Sequence, residues 1–356
     1  MQESILPFLR CPLTRSTLSL QVISKDKKKI GHVESEIITE AILWAEEGLF
    51  YPVIKGIPRL IAEASIDYKD FLQKHIPDFI ERKKSFKKRH VDLIAYAAKK
   101  NERTKKSFKL EWSIFNYDHD KTWDADTKEM VNRFLIETDE TEDTLKGKFI
   151  FDVGCGNGIL DSLITKHDAR VLAMDLSQSI ETAYENNTEE TVFFIQGDVQ
   201  FPPVAFEQFD IVQCSGILIH TSNTESSFAS IEPCVKAGGK LSVWLYHPRK
   251  NFIHNLFNKI RNISSRLPLK MQYYLYLFTL FPVSYTIKKL KGNKQNPREM
   301  MVNILDWFTP QYRWEHEHDE VKGWFEKRDY GNIKITTDEL FGFNITGVKG
   351  THHTNR

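Results

Sequence analysis

The stretch Lys148-Phe149-Ile150-Phe151-Asp152-Val153-Gly154-Cys155-Gly156-Asn157-Gly158 constrains the fold more than any other part of the chain. It reads as a buried strand that ends in an acid and runs into three alternate glycines. The helical pattern Ile159-Leu160-Asp161-Ser162-Leu163-Ile164 follows at once. Glycines at this spacing let the backbone pass close to a bulky ligand with no Cβ in the way. The next helix points its N-terminal amides at that ligand. Strand, glycine turn and helix together predict an α/β fold with a nucleotide-like cofactor.

The glycine spacing separates two kinds of cofactor. A dinucleotide site wants G-x-G-x-x-G, with an acid about 20 positions further on. Here the third glycine comes one residue early, and Asp152 lies two residues before the first. This D-x-G-x-G-x-G pattern resembles the first motif of the class I S-adenosylmethionine-dependent methyltransferases. A glycine turn after a strand is by itself only a tight connection, so the neighbouring elements must agree. Arg170 to Asp175 is a short apolar run that ends in an acid, suited to accept hydrogen bonds from two ribose hydroxyls. Ser177 is placed to cap a helix through Asn187. Thr191 to Gln196 reads as a third strand, and Gly197-Asp198-Val199 after it resembles the family's adenine-contact motif. Phe209 to Ser215 is a fourth strand; a helix over 224–236 stops at Gly238-Gly239, and Lys240 to Tyr246 is a fifth strand.

The resemblance covers residues 110–350 and is to the type 11 group. It implies a seven-stranded Rossmann-like sheet with helices on both faces and S-adenosylmethionine as cofactor. Carried over residue by residue, the cofactor contacts are Asp152, Gly154, Cys155, Gly156, Gly158, Asp175, Leu176, Asp198, Val199 and Cys214. Ser215-Gly216-Ile217-Leu218-Ile219-His220-Thr221 resembles the segment that follows the fourth strand in that group. His220 is the general-base candidate, because histidine titrates near neutral pH. Its bland alternative is to cap or orient the next helix. Tyr246 and His247, at the end of the fifth strand, are acceptor-contact candidates.

Residues 1–64 have a separate character. Leu9-Arg10-Cys11-Pro12 near their start and Tyr51-Pro52-Val53-Ile54-Lys55-Gly56-Ile57-Pro58-Arg59-Leu60 near their end resemble the Trm112-like small domain. Zinc-binding members open with C-P-x-C; here Thr14 stands in for the second cysteine, and His32 is the other soft ligand in the segment. One Cys and one His cannot complete a tetrahedral site, so a metal-free β-rich domain is expected. Such domains act as partner modules in the family, which leaves a protein partner or a structural appendage as readings. Residues 65–109 form a basic helical connector, with twelve Lys or Arg against three acids over 81–109. A solvated helical face or a phosphate-binding surface would account for it. Trp112, Phe115, Tyr117 and Trp123 after it are candidates for a lid or for interdomain packing.

Residues 250–308 read as a helical cap inserted before the last two strands. Their centre, Met271 to Pro282, is apolar and aromatic and is flanked by lysines. A cover over an apolar substrate, an interfacial helix and a core-facing helix of an all-protein cap all fit. Asp306-Trp307-Phe308-Thr309-Pro310-Gln311-Tyr312 and the following His316-x-His318-x-Glu320 resemble a late segment of bacterial methyltransferases of this type. His316 and His318 are two apart and do not share a helical face, so surface or acceptor contacts fit better than a metal. Tyr312, Arg313 and Glu320 are candidates to meet a polar acceptor group.

Composition narrows the rest. Lys and Arg number 49 against 48 acids, so no global charge drives the chain toward nucleic acid. The four cysteines are widely spaced, with no C-x-x-C pair. No signal peptide and no spanning helix are expected, and a cytoplasmic setting follows. The function expected is methyl transfer to a small-molecule or biosynthetic intermediate, on oxygen, in an apolar pocket. Two alternatives stand beside it: a tRNA or rRNA methyltransferase, and a non-catalytic S-adenosylmethionine-binding partner subunit.

Overall fold

A computed structural model describes residues 1–30, 33–114, 126–249 and 252–351 of the chain. The N-terminal segment gives β1 (Ser19–Ile30), β2 (Val33–Trp44), β3 (Phe50–Ile54) and β4 (Ile57–Leu60). Three helices follow: α1 (Ala64–Asp67), α2 (Lys69–His75) and the long α3 (Phe79–Ile114), with a non-helical residue at His90. Then come α4 (Thr127–Thr138), β5 (Phe149–Val153), α5 (Ile159–Ile164), β6 (Arg170–Asp175), α6 (Ser179–Asn186), β7 (Val192–Gly197) and β8 (Phe209–Ser215). The remainder is α7 (Thr224–Ile231), β9 (Val235–Tyr246), the cap helices α8 (Phe252–Ser264), α9 (Leu269–Phe278), α10 (Leu280–Leu290) and α11 (Pro297–Phe308), then α12 (His318–Glu326), β10 (Tyr330–Asp338) and β11 (Gly342–Lys349).

The strands form one sheet, in the order β1-β2-β3-β4-β7-β6-β5-β8-β9-β11-β10. The seven strands from β7 to β10 have the expected arrangement, parallel except for β11, which is antiparallel to β9 and β10. The sheet does not stop there. β4 pairs parallel with β7 through Arg59–Gln196 and Leu60–Gly197, so the N-terminal strands extend the same sheet to eleven. Pairing along an open edge satisfies backbone groups that a free edge would leave to solvent. An isolated bridge from Leu9 to Val204 ties the segment down a second time.

The central strands are buried on both faces, as parallel strands between helices must be. Phe151, Val153, Leu172 and Met174 point into a core shared with α2, α3, α7 and α12. Ile150, Val171 and Ala173 point into the opposite core with α4, α5 and α6. The expected helix over 224–236 is shorter: α7 ends at Ile231, a short 3-10 turn runs to Cys234, and β9 begins at Val235. Pro233, which has no N–H to donate, lies in that turn. Gly238-Gly239 therefore lies inside β9, where the ladder with β8 shifts register, and not at a helix end.

Chain order reverses between β5 and β8, which are adjacent in the sheet. In open α/β sheets that switch point is where ligands bind, beyond the carboxyl ends of the strands.

Candidate active site

Beyond those strand ends lies a continuous cavity of about 770 Å³. Its walls run from the glycine turn after β5 to the cap helices. At the first end, Gly154, Gly156 and Gly158 all have φ between 56° and 94°. A Cβ on Gly154 would come within 2.2 Å of Ile217, and one on Gly158 within 2.8 Å of Ala183. Glycine is thus required here by the protein's own packing as well as by any ligand. Asp175, at the end of β6, is held in place by three donors. Its Oδ1 accepts from the Ser177 amide and hydroxyl at 2.7 Å each, and its Oδ2 from the Gly156 amide at 3.1 Å. Burial raises its pKa, and these donors hold the rise back. Ser177, expected as a helix cap, spends its hydroxyl on Asp175 and accepts from the Ser179 amide at 3.2 Å.

Asp152 lines the same end and has a partner that sequence reading did not single out as functional. Asp161 on α5 is fully buried. Burial, then the Asp152 charge, push its carboxyl well above the ordinary range. Burial also pushes Asp152 up to about 7, with a hydrogen bond from Asp161 acting against the rise. Two buried acids that interact in this way titrate as a pair, with the proton favoured on Asp161.

Leu176, Asp198 and Val199 also line the cavity. The open carboxylate expected at Asp198 for an adenine amine is already engaged. Its Oδ2 accepts from Lys100 Nζ at 2.7 Å and Asn101 Nδ2 at 2.9 Å, both on α3, and its Oδ1 from the Gln200 amide at 3.0 Å. Cys155 lines the cavity; Cys214 does not. Alternation along β8 turns Cys214 into the hydrophobic core, while Gln213 and Ser215 face the cavity. Gln213 donates to Glu137 at 3.1 Å, and the buried Glu137 pairs with the partly exposed Arg133 at 2.7 Å, so α4 contributes an ion pair to the middle of the wall.

The other chamber is aromatic. Phe108, Trp244, Tyr246, Trp307, Phe308 and Phe341 line it, with His220 among them. The His220 Nδ1–H donates to the Tyr312 carbonyl at 2.9 Å, which leaves Nε2 as the acceptor. Burial lowers the ring to about 4, so the imidazole is neutral near pH 7. Its edge meets Phe108 and Tyr246, each with ring centroids 6.0 Å apart. Tyr246 donates to Asp306 Oδ2 at 3.4 Å, and burial raises Asp306 to about 6. The Arg313 guanidinium stacks between Tyr246 and Trp307, at 4.0 and 3.9 Å, and is bonded to Glu315. Asp306 lies in a segment noticed for its pattern, D-x-[FY]-[ST]-P-x-Y, without a role; its burial beside Tyr246 is what the pattern could not reveal.

Two expected acceptor contacts, His247 and Glu320, fall elsewhere, and His316 and His318 take the surface alternative. His247 is not on the cavity wall; its Nε2 is engaged with the Glu339 carbonyl at 2.8 Å, because the side chain after Tyr246 points to the opposite side of the chain. His316 pairs with Glu320 at 3.0 Å, away from the cavity, and His318 lies 3.7 Å from Asp338. No cluster of metal-holding side chains occurs among the described residues. The lid candidates Phe115, Tyr117 and Trp123, and the side chain of Trp112, lie outside the described residues.

The Rossmann-like sheet thus carries an acid-rimmed glycine cradle that opens into an aromatic chamber. Residues 151–243 match the family model for a methyltransferase domain of type 11, a span that holds every donor-end residue above except Lys100, Asn101, Arg133 and Glu137. The chain is 31% identical over 115 residues to a ubiquinone biosynthesis O-methyltransferase of Coxiella burnetii, covering 32% of this chain and 49% of the relative. It is 29% identical over 150 residues to the protein of the same name in Chromobacterium violaceum, covering 40% and 63%. The chain thus spans about half to two thirds of the length of these curated relatives. Among solved structures, a magnesium protoporphyrin IX methyltransferase from Synechocystis aligns over 70% of this chain and 98% of its own, at 13% identity and a TM-score of 0.40.

Proposed function

We propose that this chain transfers a methyl group from S-adenosylmethionine to a hydroxyl of a small molecule with an apolar body. The single observation that carries this is the joined cavity: an acid-rimmed glycine cradle opens into an aromatic chamber that holds His220, Tyr246 and Asp306. The match to a methyltransferase domain and the curated relatives' O-methyltransferase names support oxygen as the acceptor atom.

The cradle's donor set fits the cofactor. Asp175 suits vicinal ribose hydroxyls, and Asp152 with Asp175 supplies negative charge for a cationic ligand. When bound, S-adenosylmethionine supplies an electrophilic methyl on a sulfonium. The chain's own task is to align the acceptor oxygen and exclude water. His220 Nε2 can accept a hydrogen bond from the acceptor hydroxyl, but its burial disfavours the imidazolium. Asp306 is the stronger base: near pH 7 most of it is ionised, and Tyr246 holds it. We therefore assign proton removal to Asp306 and orientation of the hydroxyl to His220 and Tyr246. The aromatic walls would recognise a ring or polyunsaturated body.

We read the N-terminal segment as a metal-free Trm112-like module fused to the catalytic sheet. Its Cys11 Sγ lies 3.2 Å from the Tyr51 hydroxyl inside the core, a contact that a hydrogen bond accounts for. Calorimetry and turnover of an alkylated catechol test the whole reading. Asp306→Asn should bind S-adenosylmethionine as wild type does and lose about 10²–10⁴-fold in turnover. His220→Ala should lose less. Binding of NADH or FAD in place of S-adenosylmethionine, or full turnover by Asp306→Asn, would sink it.

A further inference from the structure

The cap carries an apolar face that the reaction does not use. Phe252, Ile263, Met271, Phe278, Val283 and Leu290 are each more than half exposed. α10 buries none of its residues, and α9 buries only Gln272 and Tyr276. The inner faces of this hairpin pack on α11 through Tyr273, Tyr276, Leu277, Leu280 and Phe281, as expected of core-facing helices, and the outer faces stay exposed. Scattered exposed apolar side chains are ordinary, but a set concentrated on adjoining helices marks an interaction surface.

The charge around that face identifies its occupant. Residues 250–298 contain ten Lys or Arg and no Asp or Glu. Since the whole chain carries a net charge of only +1, the remainder is net acidic, and the cap is one of two strongly basic stretches beside 81–109. Lys259, Lys270, Lys289, Lys291 and Lys294 are exposed there. No helix among the described residues is long and apolar enough to cross a membrane. Apolar side chains ringed by lysines, with acids absent, fit the boundary between acyl chains and anionic headgroups. The same helices reach the cavity, since Phe257 of α8 and Ser284 and Lys288 of α10 line its far end.

We propose that α8, α9 and α10 seat the protein on an anionic lipid surface. Phe278, Val283 and Leu290 enter the acyl boundary, and the lysines meet the headgroup phosphates. Resting on the methyl-transfer reading, the acceptor is then a lipid-soluble molecule that enters the aromatic chamber from the membrane side of the cap.

Co-flotation of the full chain with vesicles tests the docking, with calorimetry of S-adenosylmethionine as a separate measure. The chain should float with phosphatidylcholine vesicles that contain phosphatidylglycerol, far less with phosphatidylcholine alone, and less as salt rises. Lys291→Ala and Lys294→Ala should each lower partitioning about fivefold. Phe278→Ser and Leu290→Ser should each lower it about tenfold or more, with circular dichroism unchanged because both side chains are exposed. No flotation with anionic vesicles, or flotation indifferent to all four substitutions, overturns the proposal. So does a dimer that Phe278→Ser dissociates while flotation is unchanged, since the face then joins two copies. Failure to bind S-adenosylmethionine with flotation intact would leave the docking standing and remove the methyl-transfer reading alone.

Discussion

The two ends of the cavity are built by different means. At the donor end, backbone conformation and strand-end acids make the cradle, and each lies within a residue or two of its strand. At the acceptor end, Phe108, His220, Tyr246 and the stretch with Asp306 and Arg313 come from four segments that meet only in the folded chain. A donor site of this kind is a local property of strand–turn–helix units. An acceptor chamber is a tertiary property, and its specificity can change by rearranging helices without touching the cradle. The donor end has a long-range support of its own, however: Lys100 and Asn101 of α3 reach across to Asp198.

That support gives the sharpest test of the contrast. Lys100 and Asp198 are both buried, with side chains 8% and 2% exposed. Asp198→Ala leaves the Lys100 ammonium without its carboxylate, so a loss of about 3–5 kcal/mol is expected in denaturant unfolding. Asp175→Ala removes an acceptor from the Gly156 and Ser177 amides, and should cost about 1–3 kcal/mol while abolishing cofactor binding. Equal stability losses in the two variants would show that α3 does not support the donor end.

The same contrast explains what could be read in advance. That Asp152, the glycines and Asp175 come together on one cavity wall was legible because strand, turn and helix follow one another without a gap. Their fixed spacing encodes the geometry directly. Cys214 was misplaced by one residue, and in a strand one residue is the difference between cavity and core. His247 was lost for the same reason. Asp306 was visible as part of a pattern, but only burial beside Tyr246 gives it a chemical role. Near-neutral net charge hid the basic cap, because a chain-wide sum cancels charges that the fold separates. The N-terminal segment was legible as a β-rich unit, yet nothing in it announced that β4 would pair with β7.

The acids of the donor end set a pH dependence that the acceptor end should not share. On the proposed reading, the cationic S-adenosylmethionine should favour ionised Asp152, so that its binding releases the Asp152 proton. With Asp152 at about 7 in the free protein, affinity should be level above pH 7 and fall up to about tenfold per pH unit below it. Turnover at saturating cofactor should instead fall below about pH 6 with Asp306. Isothermal titration and saturating-rate profiles measure the two separately. Coincident midpoints would mean that a single group governs both ends.

The smallest effect concerns Asp161, which touches Asp152 but does not line the cavity. Its hydrogen bond lowers Asp152, so removing the donor raises the Asp152 midpoint. Asp161→Leu should therefore weaken cofactor binding at pH 7 by a few-fold, up to about tenfold for a shift of one unit. Asp161→Asn keeps a donor in the same place and should restore the wild-type midpoint. Stability provides the control. A carboxyl whose folded pKa is raised contributes stability below its unfolded pKa, and that contribution is lost as pH rises toward the folded value. The wild-type protein should thus weaken relative to Asp161→Asn as pH climbs above about 4, the ordinary carboxyl range. A stability difference that does not change with pH would mean that Asp161 is ionised in the fold, and the placement of the pair's proton on Asp161 would have to be abandoned.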